Sequence, residues 1–165
     1  MTTKSTLSPR LYFSYGQFMI YDRDVELPGC DWTEEHTAQG FARRQSVVNF
    51  NSLLEFGHAD LTVSSEPYQP RREYERVIAV PFLVTSGIVI VEGPEETAVE
   101  RNIKLQPGTY RLVAAQYVTT GDQETIDLYF EPVTPAVRHS VILLADEGLN
   151  PPDPLIETAQ IAGES

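Results

Sequence analysis

The chain has 165 residues, 41% of them apolar and 10% aromatic, enough for one packed core, which excludes disorder throughout and leaves little room for a second full domain. Its 24 Asp and Glu against 12 Lys and Arg give a formal charge of −12, which excludes the cationic footprint that direct nucleic-acid binding requires. The single cysteine, Cys30, excludes an internal disulfide and a thiolate metal cluster and fits a reducing, cytoplasmic setting.

Residues 1–9 are rich in Thr and Ser and lack the apolar stretch of a signal peptide, so they read as an N-terminal arm. Leu11 to Tyr21 has the partial alternation of a strand covered on one face. Asp22, Asp24 and Glu26 follow at alternate positions, which in extended chain aims them to one side. Asp31-Trp32-Thr33-Glu34 offers Asp31 as N-cap with Glu34 three residues on, a capping box, and Gly40 as C-cap; a short helix is predicted from Trp32 to Gln39.

Val47 to Asn51 and Ala59 to Ser64 read as strands, the second cleanly amphipathic with Leu61 and Val63 on one face and Asp60, Thr62 and Ser64 on the other. Glu73 to Phe82 is a further strand, with Pro81 at an edge or bend because it cannot donate to a ladder. Thr85-Ser86-Gly87 suits a hairpin turn into Ile88 to Glu92. Val99 to Leu105 is a less regular strand, Gln106-Pro107-Gly108 is a turn with positive φ at the glycine, and Thr109 to Val118 and Thr125 to Glu131 close the series.

About eight strands and one helix, with no alternation of strand and helix, predict an all-β fold, an antiparallel β-sandwich spanning residues 10–131. Residues 132–165 form a C-terminal extension. Its apolar run Val141 to Ala145 could add or cover an edge strand, and from Asn150 the prolines predict a flexible tail. No apolar run approaches the roughly 20 residues of a membrane span.

The chemistry-bearing residues are sparse. His36, His58 and His139 show no metal-ligand spacing, and phosphate-binding glycine motifs are missing, so neither catalytic residues nor a cofactor nor a metal site is expected, and the chain does not read as an enzyme. What stands out is an acidic arc, Asp22, Asp24, Glu26, Asp31, Glu34 and Glu35, interrupted only by Arg23. It is either a solvated face or a patch that docks on a cationic groove or a metal. Trp32, the only tryptophan, sits within it either as a core anchor for the helix or as an interface anchor. A second acidic loop, Glu92-Gly93-Pro94-Glu95-Glu96, keeps open a Ca2+- or ligand-binding sandwich.

Four segments carry a family resemblance: Phe13-Ser14-Tyr15-Gly16-Gln17-Phe18, Asp31-Trp32-Thr33-Glu34 leading to Gly40-Phe41-Ala42, Val80-Pro81-Phe82, and Leu105-Gln106-Pro107-Gly108-Thr109-Tyr110-Arg111-Leu112. In this order they resemble the competence protein J family, over about Arg10 to Glu131. The resemblance implies a small non-catalytic inhibitor of a DNA-entry nuclease, against the alternative of a Ca2+- or ligand-binding sandwich without a nuclease partner. The acidic arc is then expected to face a basic or metal-dependent nuclease in place of DNA. An exposed sheet edge could also pair two copies of the chain into a homodimer.

Overall fold

The computed structural model describes residues 5–94, 96, 101–133 and 139–162. The elements in chain order are β1 (Ser5–Phe13), β2 (Gln17–Asp22), α1 (Glu34–Gln39), β3 (Phe41–Arg44), β4 (Val47–Asn51), β5 (Gly57–Ser64), β6 (Arg76–Val84), β7 (Ile88–Glu92), β8 (Asn102–Lys104), β9 (Gly108–Thr120), β10 (Gln123–Pro132) and β11 (Val141–Leu144). Among the described residues there are eleven strands, in keeping with the sandwich of about eight expected plus β11 of the extension. Two short ones were hidden: the Tyr15-Gly16 turn cuts Leu11 to Tyr21 into β1 and β2, and β3 follows directly on the helix.

One sheet has the order β1-β5-β10-β9-β6-β11 and the other β3-β4-β2-β7-β8. All pairs are antiparallel except β5 with β10. The alternation read from sequence places one face of each strand inside: Phe18 and Ile20 of β2, Phe41 of β3, Val48 and Phe50 of β4, and Val89 and Val91 of β7 meet Leu61, Ile78, Val80, Leu112, Ile126 and Phe130 of the opposing sheet. These side chains are essentially solvent-free, and each contributes about 1.5–3 kcal/mol by leaving water. The predicted sandwich is therefore observed.

The connections differ from expectation in one respect. Thr85-Ser86-Gly87 is not a hairpin turn, because β6 and β7 lie in different sheets; it is a crossover, held by the Asp22 carboxylate. Pro81 is tolerated inside β6 because β11 pairs only with Val77 to Ala79. The N–H of Leu83, two residues on, points away from β9 to the Gln45 carbonyl at 3.0 Å, so the Pro81 nitrogen faces the same open side.

The segment boundaries also shift. Residues 5–9, expected as part of an arm, belong to β1, and Ser5 to Leu7 pair with β5; residues 1–4 lie outside the described residues, as do Val99 and Glu100 of the expected strand. Within the extension, where Pro135 lies outside the described residues, β11 adds an edge strand to β6. From Asn150 the chain is not a loose tail. It runs beside α1 and β3, fixed by polar side chains that the sandwich supplies. The Gln39 amide donates to the Ile156 carbonyl at 2.9 Å and accepts the Ile156 N–H at 2.8 Å. His36 Nε2 donates to the Thr158 carbonyl at 2.9 Å, and Arg43 Nη1 to the Glu157 carbonyl at 2.9 Å. The Glu157 carboxylate in turn accepts the Ser140 N–H and hydroxyl, both at 2.7 Å.

Gln39 is fully buried and also donates to the Phe41 carbonyl. Replacing it with alanine leaves three backbone groups unpaired, of which those of the half-buried Ile156 can regain water. Gln39→Ala is expected to cost about 1–2 kcal/mol in urea unfolding and to speed proteolysis within 150–162. An unchanged digestion pattern would show that the extension is held otherwise.

Candidate partner-binding surface

The acidic arc begins where β2 ends, and its first member turns inward. Asp22 is fully buried; its carboxylate accepts the N–H groups of Thr85 at 2.7 Å, Ser86 at 3.1 Å and Asp24 at 3.0 Å, with the Thr85 hydroxyl at 3.1 Å. Burial works against the charge, but these backbone hydrogen bonds outweigh it and hold the carboxyl below its ordinary range. Asp22 thus organises the crossover between sheets and leaves the set of surface carboxylates, a correction to the alternation argument. That argument assumed extended chain through Glu26, whereas the N–H of Val25 turns back to the Asp22 carbonyl.

From Arg23 to Thr33 the chain lies over the outer face of the smaller sheet. Arg44 donates to the carbonyls of Leu27 and Gly29. Cys30 bridges to Ile161, the Asp31 N–H donates to Gln160, and the Ala162 N–H donates to Gly29. Beneath, Cys30, Ala42 and Val47 form a small apolar cluster that Tyr21, Val25, Trp32 and Ala159 cover. Burial pushes the Cys30 thiol up, away from reactivity. Trp32 is half-buried here, its ring edge-on to His36 at 6.4 Å. It pins this segment to the sheet, close to the core-anchor reading.

The helix starts two residues later than expected. Asp31 is held in extended chain against Gln160, so Thr33 becomes the N-cap, with a capping box closed by His36 instead of Glu34. His36 Nδ1 accepts the Thr33 N–H at 3.0 Å while Nε2 donates to Thr158, which requires the neutral Nε2–H tautomer. Gly40 ends the helix in the left-handed region at φ 87°. Glu34 and Glu35 occupy the first turn, favoured by the helix dipole. A bond from its own backbone and one from the Thr33 hydroxyl lower the Glu35 carboxyl.

Of the seven residues singled out by sequence, five are therefore exposed: Asp24 and Glu26 on the link, Asp31 before the helix, and Glu34 and Glu35 in its first turn. Asp22 is internal and Trp32 is mainly structural. The second acidic loop offers no open donor set. Glu95 lies outside the described residues, and Glu96 is bound by Arg101 and by the N–H groups of Gly93 and Tyr12. Among the described residues no group of three or more His, Cys, Asp or Glu is placed to hold a metal ion.

Sequence reasoning passed over a second exposed feature. At the β1–β2 turn Tyr15 is 66% exposed and at the β4–β5 loop Phe56 is 53% exposed, with ring centroids 6.2 Å apart. The two loops are stitched by Gly16 N–H to Glu55 carbonyl at 2.8 Å and Ser52 N–H to Gly16 carbonyl at 2.9 Å. Beside them a depression of about 270 Å³ is lined by Tyr15, Thr37, Asn51, Leu54, Arg76 and Leu149, among others. Below the loop, Glu124 is fully buried and accepts the N–H groups of Leu53 and Leu54 at 3.0 and 3.1 Å. A lone Glu in a strand gave no signal of this, and the Tyr-Gly turn was read as continuous strand.

Comparison with known proteins places residues 10–133 in a match to the family model of competence protein J (ComJ). The chain is 28% identical over 89 residues to the DNA-entry nuclease inhibitor of Bacillus subtilis (strain 168), covering 54% of this chain and 67% of that protein. Its fold is similar to the crystal structure of ComJ, inhibitor of the DNA degrading activity of NucA, from Bacillus subtilis, with a TM-score of 0.70 and 23% identity over 81% of this chain and 99% of that one. It is also similar to Crocagin biosynthetic gene J, with a TM-score of 0.51 and 14% identity over 77% of this chain and 97% of that one.

Proposed function

The chain belongs to the competence protein J family, and from that premise we propose that it is a proteinaceous inhibitor of a DNA-degrading nuclease of the DNA-entry type, acting in competence without catalysis of its own. The observation that carries the reading is the joint match of sequence and fold to nuclease inhibitors. The contact surface is a further step, supported by charge. Asp24, Glu26, Asp31, Glu34 and Glu35 are exposed on a segment tied to the sheet by backbone hydrogen bonds, in a chain of net charge −12. A fixed row of carboxylates can occupy a groove built for phosphates, and the long-range field speeds the encounter. The partner is thus a basic or metal-dependent nuclease.

The test is inhibition of DNA cleavage by the purified nuclease of the same organism, titrated with this protein. Stoichiometric inhibition that weakens as salt rises is expected. Reversing Glu34 and Glu35 together to lysine should weaken inhibition roughly tenfold at low salt, with the fold intact and the melting temperature lowered only by the few degrees that the helix dipole costs. Full inhibition by that variant would remove the helix start from the contact, and no inhibition by the native chain would end the inhibitor reading itself.

A further inference from the structure

We propose that the Tyr15–Phe56 tip is the apolar anchor of the nuclease contact, an inference that rests on the inhibitor reading above and adds a site to it. Tyr15 and Gly16 are the central residues of the turn between the bridged Ser14 and Gln17, where the chain passes from one sheet to the other, with φ values of 57° and 65°. Positive φ at both central residues is the requirement of a type I′ turn, where asparagine, aspartate or glycine is preferred at the first position. A tyrosine there crowds its own Cβ against the backbone. The local rule is broken, and burial within this chain does not offset the strain, because the ring stays 66% exposed. Departures of this kind gather where function requires the side chain.

The second ring reinforces the argument. Tyr15 and Phe56 are the two most exposed large hydrophobic residues among those described, and they rest on one another. Their loops are not free to wander. Gly16 is held through its N–H by Glu55, and its carbonyl takes the Ser52 N–H and the Asn51 amide at 3.1 Å. Glu124 fixes the next two residues of the second loop from beneath. A rigid aromatic pair loses little conformational entropy on binding, which is the property of an interface hot spot.

Charge selects the occupant. Glu55 is exposed beside Phe56, and the depression next to Tyr15 reaches Thr37 of α1. Glu34 lies three residues before Thr37, on the same face of the helix. The aromatic tip and the helix-start carboxylates therefore border one side of the molecule. This combination fits an apolar pocket rimmed by lysine and arginine. A second copy of a chain of charge −12 is disfavoured by like-charge repulsion at the same tip.

The test uses Tyr15→Asn, alone and with Phe56→Ser, in the inhibition assay against the DNA-entry nuclease of the same organism. Asparagine suits the turn, so Tyr15→Asn should melt at or above the native temperature while inhibiting at least tenfold less tightly. That opposition of stability and binding is not produced by a merely structural residue. Native-level inhibition by the double variant, with the Glu34 and Glu35 reversal still impaired, would overturn the anchor and leave the inhibitor reading standing. No inhibition by the native chain would overturn both. A native dimer in sedimentation that the double variant makes monomeric, with inhibition intact, would assign the tip to self-association and also overturn the proposal.

Discussion

Replacing Arg101 with methionine is expected to cost about 3–5 kcal/mol of folding stability, the usual penalty for breaking a buried ion pair from one side. The Arg101 side chain is fully buried against Glu96. Its donors make five hydrogen bonds: Nε to Pro9 at 2.6 Å, Nη1 to Val91 at 3.1 Å and Glu96 at 2.8 Å, and Nη2 to Arg10 at 2.8 Å and Glu96 at 2.6 Å. The pairing of β1 with β5 is interrupted between Leu7 and Leu11, and the carbonyls of Pro9 and Arg10 fall in that gap. The guanidinium receives them and ties β1 of one sheet to β7 of the other. Lysine lacks the planar fork and cannot replace it.

Urea unfolding of Arg101→Met measures the loss. Adding Glu96→Gln should recover part of it, because the stranded charge disappears while the amide oxygen can still accept the Gly93 N–H. A loss below about 1 kcal/mol, or no recovery in the double variant, would show that water replaces the guanidinium and that this network does not hold the sheets together.

Glu124 is expected to make the protein less stable as pH rises through neutrality. Burial pushes its carboxyl from 4.5 up to about 7, against the opposing pull of the Leu54 N–H, the Gln116 amide, the Leu53 N–H and the Arg76 charge. The folded-state value lies above the unfolded one, so the stabilisation is complete below about 4.5 and is lost as pH climbs through 7. Between pH 5 and pH 8 this amounts to about 2.5 kcal/mol.

On the acid side the sign reverses. Burial raises Asp22, Glu96 and Asp146, yet backbone hydrogen bonds for the first and arginine partners for the other two lower all three overall. Their contribution is present above the ordinary carboxylate range and disappears below it. Stability should thus peak near pH 5. Glu124→Gln should flatten the decline between pH 5 and pH 8 while leaving stability at pH 5 within about 1 kcal/mol of native. A native curve already flat over that interval, or an undiminished slope in the variant, would reject the assignment.

Alternation and turn chemistry in the sequence were sufficient for the sandwich, because a strand buried on one face must repeat every two residues wherever it lies. Gln17–Asp22 and the first part of Gly57–Ser64 show this, the expected bounds of Val47–Asn51 and Ile88–Glu92 are the observed ones, and Gly40 marks the helix end because few other residues adopt the left-handed turn. The negative surplus and the exposed Glu34 and Glu35 were equally legible, since charge needs no partner to be counted. Tertiary structure alone decided which polar groups are internal. Asp22 and Asp24 look alike in sequence, yet the crossover from β6 to β7 brings two backbone N–H groups to the first and leaves the second exposed. Likewise Gln39, Arg101 and Glu124 owe their roles to partners 117, 91 or 92, and 70 or 71 positions away. Hydrogen bonds at such separations leave no periodic trace along the chain, because their geometry exists only after the sheets have closed.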